Sequence, residues 1–330
     1  MAKKVAIIIL NWNRLSDTIA CVNSCLKNNY PNYQIILIDN GSKNNQGKLL
    51  QEKYKNFSKV RVVLLDRNYG FAQGNNFGID FALKDKETKY IICLNNDTEV
   101  EENFIQEMVK TAEQGRDMVN AKVLSFYDQN EIDNLGMEVV ASMLTFNRKK
   151  ENQRLFCPTG CAVLYTRKLL EKIKLFNDYF DSDYFCYAED FDLGFRALLQ
   201  GFKPKVAYQA VVYHKGSAST SLMSDFAVFH SYRNIVWTII KNLPAPLFLK
   251  FLPKIIIGHL SIILLYCLRK KPFLILKSYF QAILLSPKFF RKRKIIQKNK
   301  KISNKKLLSF INPAIFSQYY LKRFFRQKKK

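Results

Sequence analysis

Acidic residues stop at Asp225. From Lys241 to Lys330 the chain carries 23 Lys and Arg and not one Asp or Glu. The formal charge of +26, from 53 basic and 27 acidic side chains in 330 residues, is therefore concentrated at the C-terminal end. A nearly neutral part precedes a basic tail whose charge has to be met by solvent or by an anionic partner. Histidine is scarce at three residues, and no Cys-x-x-Cys pair occurs. Cys21/Cys25 and Cys157/Cys161 share a spacing of four, but nothing completes a zinc framework, and buried thiols are expected. Seven cysteines, an odd number set in apolar runs, fit a reducing compartment rather than a disulfide scaffold. A long hydrophobic run is missing near the N-terminus too. Val5 to Leu10 is only six residues, too short for the apolar region of a signal peptide, so the expected location is the cytosol or the cytoplasmic face of a membrane.

What is present is an ordinary globular balance, 48 % hydrophobic and 24 % charged, long enough for a core and a second module. Four short apolar runs, Val5–Leu10, Ile35–Ile38, Val60–Leu65 and Tyr90–Leu94, each end in polar turn residues. Helical patterns separate them, over Ile19–Leu26, Gly47–Tyr54 and Ala72–Leu83. That alternation predicts an α/β fold with a mostly parallel, doubly wound sheet. Right-handed crossovers put the four strand ends on one edge, which collects Asn11–Asn13, Asp39, Arg67, Asn68 and Asn95–Asp97. Turn chemistry explains any one of these residues; four polar strand ends in succession predict a lined crevice. Asp97 offers a hard oxygen there for a phosphate and its metal.

Three further stretches carry chemistry. Arg67–Ile79 spaces Gly70, Gly74 and Gly78 four apart, either to admit a nucleotide or to let a helix pack closely on the sheet. Tyr184–Arg196 sets Glu189, Asp190 and Asp192 among five aromatics. An i, i+4 pair accounts for Asp192 and Arg196. Glu189 and Asp190, at a helix start between Tyr187 and Phe191, suit general-base work. His214 follows an apolar run, where it is either a structural histidine or a nitrogen ligand that completes a site begun by Asp97. Ser125–Lys150 reads as polar and irregular.

Taken in order, I-I-L-N-W-N, I-D-N-G-S, N-Y-G-F-A-x-G-N-N-x-G, L-N-N-D-T, T-G-C, F-C-Y-A-E-D-F-D-L-G-F-R and Y-H-K-G-S-A-S-T resemble glycosyltransferase family 2, in its rhamnosyltransferase-like branch. The resemblance implies a GT-A fold and inverting transfer from a nucleotide-diphospho-sugar. It implies donor contacts from Leu10, Trp12 and Asp39, with Arg67, Asn68, Gly74, Asn75, Asn95 and Asn96 beside them. By the same resemblance Asp97 and His214 hold Mg²⁺ or Mn²⁺, Asp190 is the base and Glu189 its partner. Asn95 stands where the wider family has a carboxylate, which weakens the expected metal site. Lys174 in place of Gly, and Asp181–Asp183 as extra loop length, are further departures. The glycine-asparagine stretch favours dTDP-rhamnose, with UDP-linked sugars as the alternative. Retention of Asp97, Glu189, Asp190 and His214 argues against a catalytically silent scaffold.

The boundary is expected near residue 225, with residues 1–225 catalytic and 226–330 a basic helical tail. Ile255–Leu268 is fourteen residues and contains His259, nearer an in-plane helix than a spanning one. Large aliphatics between unopposed cations point to an anionic membrane surface, and to a lipid-linked or glycan acceptor there. No recognised nucleic-acid module accompanies the charge, so no nucleic-acid partner is expected.

Overall fold

A computed structural model describes residues 2–216 and 224–318. The Ser217–Thr220 end of the Y-H-K-G-S-A-S-T motif and the last lysine-rich residues lie outside the described residues. The strands are β1 (Lys4–Asn11), β2 (Tyr33–Asn40), β3 (Val60–Leu65), β4 (Thr88–Asn95), β5 (Thr98–Val100) and β6 (Met118–Ser125). They continue with β7 (Ile132–Asn134), β8 (Met137–Val140), β9 (Thr145–Asn147), β10 (Ala162–Thr166), β11 (Pro204–His214) and β12 (Ile311–Asn312). The helices are α1 (Leu15–Leu26), α2 (Gln46–Tyr54), α3 (Gly70–Leu83), α4 (Phe104–Glu113), α5 (Arg167–Ile173) and α6 (Glu189–Leu199). The tail adds α7 (Asp225–Asn242), α8 (Ala245–Leu268), α9 (Pro272–Leu284), α10 (Ser286–Lys298) and α11 (Asn304–Leu308).

The main sheet runs β3-β2-β1-β4-β10-β6-β11-β5, with β7 on β6. Its first four strands are parallel; β10 enters antiparallel between β4 and β6. The expected parallel, doubly wound half is there, joined to a mixed half. Side chains alternate across the sheet. Val5, Ile7 and Ile9 of β1 pack with Cys21, Val22 and Cys25 of α1 on one face. Ala6 and Ile8 pack with Ala72 and Ile79 of α3 on the other. Both faces are covered, which is why these strands read as unbroken apolar runs. The cysteines in them are buried free thiols.

Ser125–Lys150 is not irregular. It forms β7, β8 and β9, and Leu135, Met137, Val139 and Met143 are buried. Strands of three or four residues are too short to show a period, and the run is masked by Glu138, which is buried. Its carboxylate accepts from Gln153 Nε2 at 3.0 Å and Asn312 Nδ2 at 2.9 Å. The tail packs on the rest: Ile235 and Ile239 of α7, Leu247 and Phe251 of α8 and Ile311 of β12 share the core that contains Ile8 and Phe191.

Candidate active site

Strand order reverses between β1 and β4, the place where the carboxyl ends of an open α/β sheet bind ligands. Leu10 stands opposite Asn95, and Asn11 opposite Asp39. Asn11 is fully buried and donates to Asp39 Oδ1 at 2.7 Å and Ser42 Oγ at 3.0 Å. Asp39, 4 % exposed, takes the Ser42 amide on its other oxygen at 3.2 Å, so it forms a floor to the edge. Trp12 is 52 % exposed, an indole left open at the same strand end. Arg67 lays its guanidinium over the Tyr69 ring at 4.8 Å. Asn68 Oδ1 accepts from Asn40 Nδ2 at 3.0 Å and from the Gly70 amide at 2.8 Å, shaping the turn.

Gly74 and Asn75, expected beside the donor, are both buried within the fold. A Cβ on Gly74 would sit 2.2 Å from Leu10 Cδ2, and one on Gly78 would sit 2.4 Å from Ile8 Cγ2. Asn75 bonds back to Phe71 O at 2.9 Å within its own helix. These glycines let α3 pack closely on β1.

At the end of β4, Asn95, Asn96 and Asp97 are half-buried. Asn96 Nδ2 donates to Thr18 Oγ1 at 2.9 Å, tying this turn to α1 beside β1. Asp97 Oδ1 lies 3.3 Å from His214 Nε2, because β5 and β11 pair with His214 opposite Thr98. The other ring nitrogen, Nδ1, is 2.9 Å from Asp133 Oδ2, and Lys149 lies 3.6 Å from the same carboxylate. Burial opposes charge on Asp97, but the His214 hydrogen bond and charge hold its carboxyl below the usual range. Burial likewise opposes the imidazolium, yet Cys161, Asp133 and Asp97 around it push His214 upward. Asp133 was invisible in the sequence because it sits in the stretch that reads as irregular.

A carboxylate behind one nitrogen and a second carboxylate at the other is how metal-ligating histidines are commonly oriented. Among the described residues no three His, Cys, Asp or Glu side chains form a ready-made metal cage. Asp97 and His214 fit a cation that takes its remaining ligands from a bound diphosphate and water.

The carboxylates of α6 connect to the same point. Gly160 N–H donates to Asp190 Oδ2 at 2.8 Å, and the next carbonyl, Cys161 O, accepts the Asn95 amide at 2.9 Å. Asp190 Oδ1 also takes the Phe191 amide at 2.7 Å. Burial raises the Asp190 carboxyl, against these backbone donors pulling the other way. Glu189 is 5 % exposed, its Oε2 has no hydrogen-bond partner among the described residues, and burial with Asp190 alongside pushes its pKa well up. Burial and the neighbouring Asp190 thus favour the protonated form of Glu189, while Asp190 is the half-buried side chain held by backbone amides.

The segment entering α6 is strained. Cys186 N–H bonds Tyr184 O at 2.7 Å across Phe185, a tight γ-turn with φ 62° and ψ −63°. Tyr187 and Ala188 follow at φ 69° and 61°. Such non-glycine conformations cost on the order of 1–3 kcal/mol each and persist only where neighbours enforce them. Gly70 is one enforcer: at φ 79° it lies so close to Phe185 that a Cβ would be 2.4 Å from its carbonyl oxygen.

Asp192 and Arg196 pair at 3.0 Å as the sequence implies, fully inside the fold. Asp181–Asp183 is a correction, for it is an anchor and not slack loop. Asp181, 2 % exposed, binds Lys241 of α7 and, at 2.5 Å, Lys292 of α10. Lys241 reaches Asp192 at 2.8 Å, and Lys288 and Lys292 reach Asp183 at 2.6 Å and 2.7 Å. Lys174, at the end of α5, lies 3.5 Å from Asp80.

A parallel β3-β2-β1-β4 unit with a polar crevice at its reversal, extended by a mixed half, defines the GT-A class of α/β folds. The structure of GalNAc-T7 with UDP, GalNAc and Mn²⁺ superposes with a TM-score of 0.57 at 20 % identity, over 73 % of this chain and 48 % of that one. The family model described as glycosyl transferase family 2 matches residues 6–174, and the chain belongs to that family. Glu189, Asp190 and His214 lie beyond the matched span. Glycosyltransferase GlyG of Streptococcus pneumoniae serotype 4 is 27 % identical over 189 residues, 54 % of this chain and 60 % of that protein. The undecaprenyl-phosphate 4-deoxy-4-formamido-L-arabinose transferase of Photorhabdus laumondii is 27 % identical over 178 residues, 51 % of each. The chain thus spans between half and two thirds of these two relatives' own length.

Proposed function

We propose that the protein is an inverting, metal-dependent glycosyltransferase that moves a sugar from a nucleotide-diphospho-sugar to a lipid-linked or polysaccharide acceptor in cell-surface glycan synthesis. One observation carries this reading: the Asp97–His214 pair and the Asp190 carboxylate converge on the β4 strand end through the Gly160–Cys161 step. Asp97 and His214 would hold Mg²⁺ or Mn²⁺ beside the donor diphosphate, and Asp133 keeps the His214 ring turned toward it. When bound, the ion offsets charge that builds on the leaving diphosphate. Trp12 and the Asn11–Asp39 floor lie at the base and ribose end of the donor. Asp190 takes the proton of the acceptor hydroxyl, with Glu189 buried beside it.

Relatives that include an undecaprenyl-phosphate sugar transferase support a lipid-linked acceptor. The sugar itself is proposed as rhamnose from dTDP-rhamnose, on the sequence resemblance alone. Incubation with a panel of nucleotide-sugars and Mn²⁺, reading free nucleoside diphosphate, tests both points. Release from dTDP-rhamnose is expected; release only from a UDP-sugar replaces the donor, and release from none on any acceptor lipid or glycan refutes the transferase. Asp133→Asn should weaken Mn²⁺ affinity in the presence of nucleoside diphosphate by roughly 10- to 100-fold, read by calorimetry.

The tail supports a place on the cytoplasmic membrane surface. Among the described residues, α8 is the one helix long and apolar enough to cross a bilayer. Its Ile256, Ile257, Leu260 and Leu264 are exposed, as are Phe273 and Phe280 of α9. Mid-helix, however, Gly258 packs on Ser142 of the β8–β9 turn, where a Cβ would come within 2.5 Å. Lys254 Nζ bonds Pro313 O at 2.6 Å. A helix with its middle packed on the globular body supports lying along one leaflet rather than spanning it. The protein should bind vesicles containing phosphatidylglycerol and not phosphatidylcholine alone, with each near-surface cation contributing about 1 kcal/mol. High salt and Leu260→Glu with Leu264→Glu should each weaken binding. Equal binding to neutral vesicles would rule out the electrostatic part.

A further inference from the structure

We propose that Asn234, on the first tail helix, is a positioning residue for the transfer reaction, acting through the strained segment that carries Glu189 and Asp190. Asn234 is fully buried. Its Nδ2 lies 3.0 Å from Tyr184 O, 3.0 Å from Cys186 O and 2.7 Å from Tyr187 O. Three carbonyls of one short segment thus converge on a single side-chain amide. They do so because positive φ at Phe185, Tyr187 and Ala188 turns them away from the hydrogen-bonding of a helix or strand. A buried convergence of carbonyls needs a donor with two protons and no charge, and the Asn amide supplies that. Its orientation is set from the other side: Arg233 Nε donates to Asn234 Oδ1 at 2.9 Å, and Arg233 Nη2 lies 3.3 Å from Tyr184 O. Arg233 is held in turn by Gln281 of α9 at 3.0 Å.

Other contacts share the work: Phe185 O accepts the Ala72 amide at 3.1 Å, and the Phe185 and Tyr187 rings pack on Phe226, itself on α7, while beyond Ala188 the chain is already helix α6. Without the clamp, Phe185–Ala188 relaxes toward ordinary backbone angles and α6 loses its fixed entry angle. Asp190 then leaves the Gly160 amide that aligns it with the Asn95 turn. The catalytic site is therefore completed by a helix from the far side of the neutral-to-basic boundary, and α7 is part of its scaffold.

This rests on the glycosyltransferase reading, and the test separates the two. In the full-length protein Asn234→Ala should lower kcat by about 100-fold, as misplacement of a reacting group by ~1 Å does, with donor KM nearly unchanged. Amide exchange of residues 185–191 should speed up while β1 and β4 stay protected. The milder Arg233→Lys, which removes the Nε–H contact, should give a smaller kcat loss per folded molecule in the same direction. It decides the matter if Asn234→Ala does not fold. A kcat per folded molecule and a 185–191 exchange pattern equal to wild type in either folded variant would overturn the clamp. Faster exchange in the segment of a protein that transfers no sugar would keep the clamp and refute the function.

Discussion

Asp190→Asn is expected to lower kcat by about 10²- to 10⁴-fold, the range a general base contributes, while nucleoside diphosphate binds as to wild type. The substitution keeps an oxygen for the Gly160 amide at the position where Oδ2 now accepts at 2.8 Å, but turns an NH₂ toward the Phe191 amide that Oδ1 now takes at 2.7 Å, so amide exchange of the entry to α6 is measured alongside kcat. What is lost is the proton acceptor. Burial raises the Asp190 carboxyl above its ordinary value, against the amides of Gly160 and Phe191. The deprotonated form is the active one, so activity disappears as pH falls through that raised value. The acid limb of the kcat profile should accordingly lie above the ordinary Asp value of about 3.9. Near-normal turnover in Asp190→Asn would remove the residue from its role.

Asp181→Asn is expected to destabilise the fold by about 1–3 kcal/mol, because Lys241 and Lys292 lose their shared carboxylate and keep only Asp192 and Asp183. Burial opposes the charge on Asp181, but the two lysines hold its carboxyl far below the usual range. A depressed folded value means that this stabilisation is fully present above the unfolded carboxyl's ordinary value, about 3.9, and fades as pH falls toward the folded one. Wild type should therefore lose melting temperature on acidification below about pH 4, where the variant has less left to lose. Equal stability of the two proteins at pH 7 would show that Asp192 and Asp183 suffice to hold the lysines. The network matters for function because it ties α7 and α10 to the segment leading into Glu189 and Asp190.

The crevice was legible because parallel strands buried on both faces are uniform apolar runs, and each run breaks sharply at its polar end. Asn11, Asp39 and Asn95–Asp97 stand out for that reason, and the β1–β4 reversal brings them together. Asp133 and Asn234 were not legible. Asp133 reaches His214 across 81 residues, from a segment whose strands are too short to carry a period. Asn234 sits inside an amphipathic helical pattern where nothing marks one polar residue as facing inward. Asp181 read as loop because its lysine partners are 60 and 111 residues away. Gly74 carries a motif's spacing, and the structure adds that it lets Leu10 sit against α3. Local pattern reports which face is apolar, whereas long-range polar pairing depends on tertiary geometry that no window contains.

The account turns on the β4 edge being the donor diphosphate site. Calorimetric titration of nucleoside diphosphate into the full-length protein, with Mn²⁺ or with chelator, and repeated on Asp97→Ala, tests that most directly. Binding that requires Mn²⁺ in wild type and is lost in Asp97→Ala is the predicted result. Metal-independent binding, unchanged in Asp97→Ala, would contradict it.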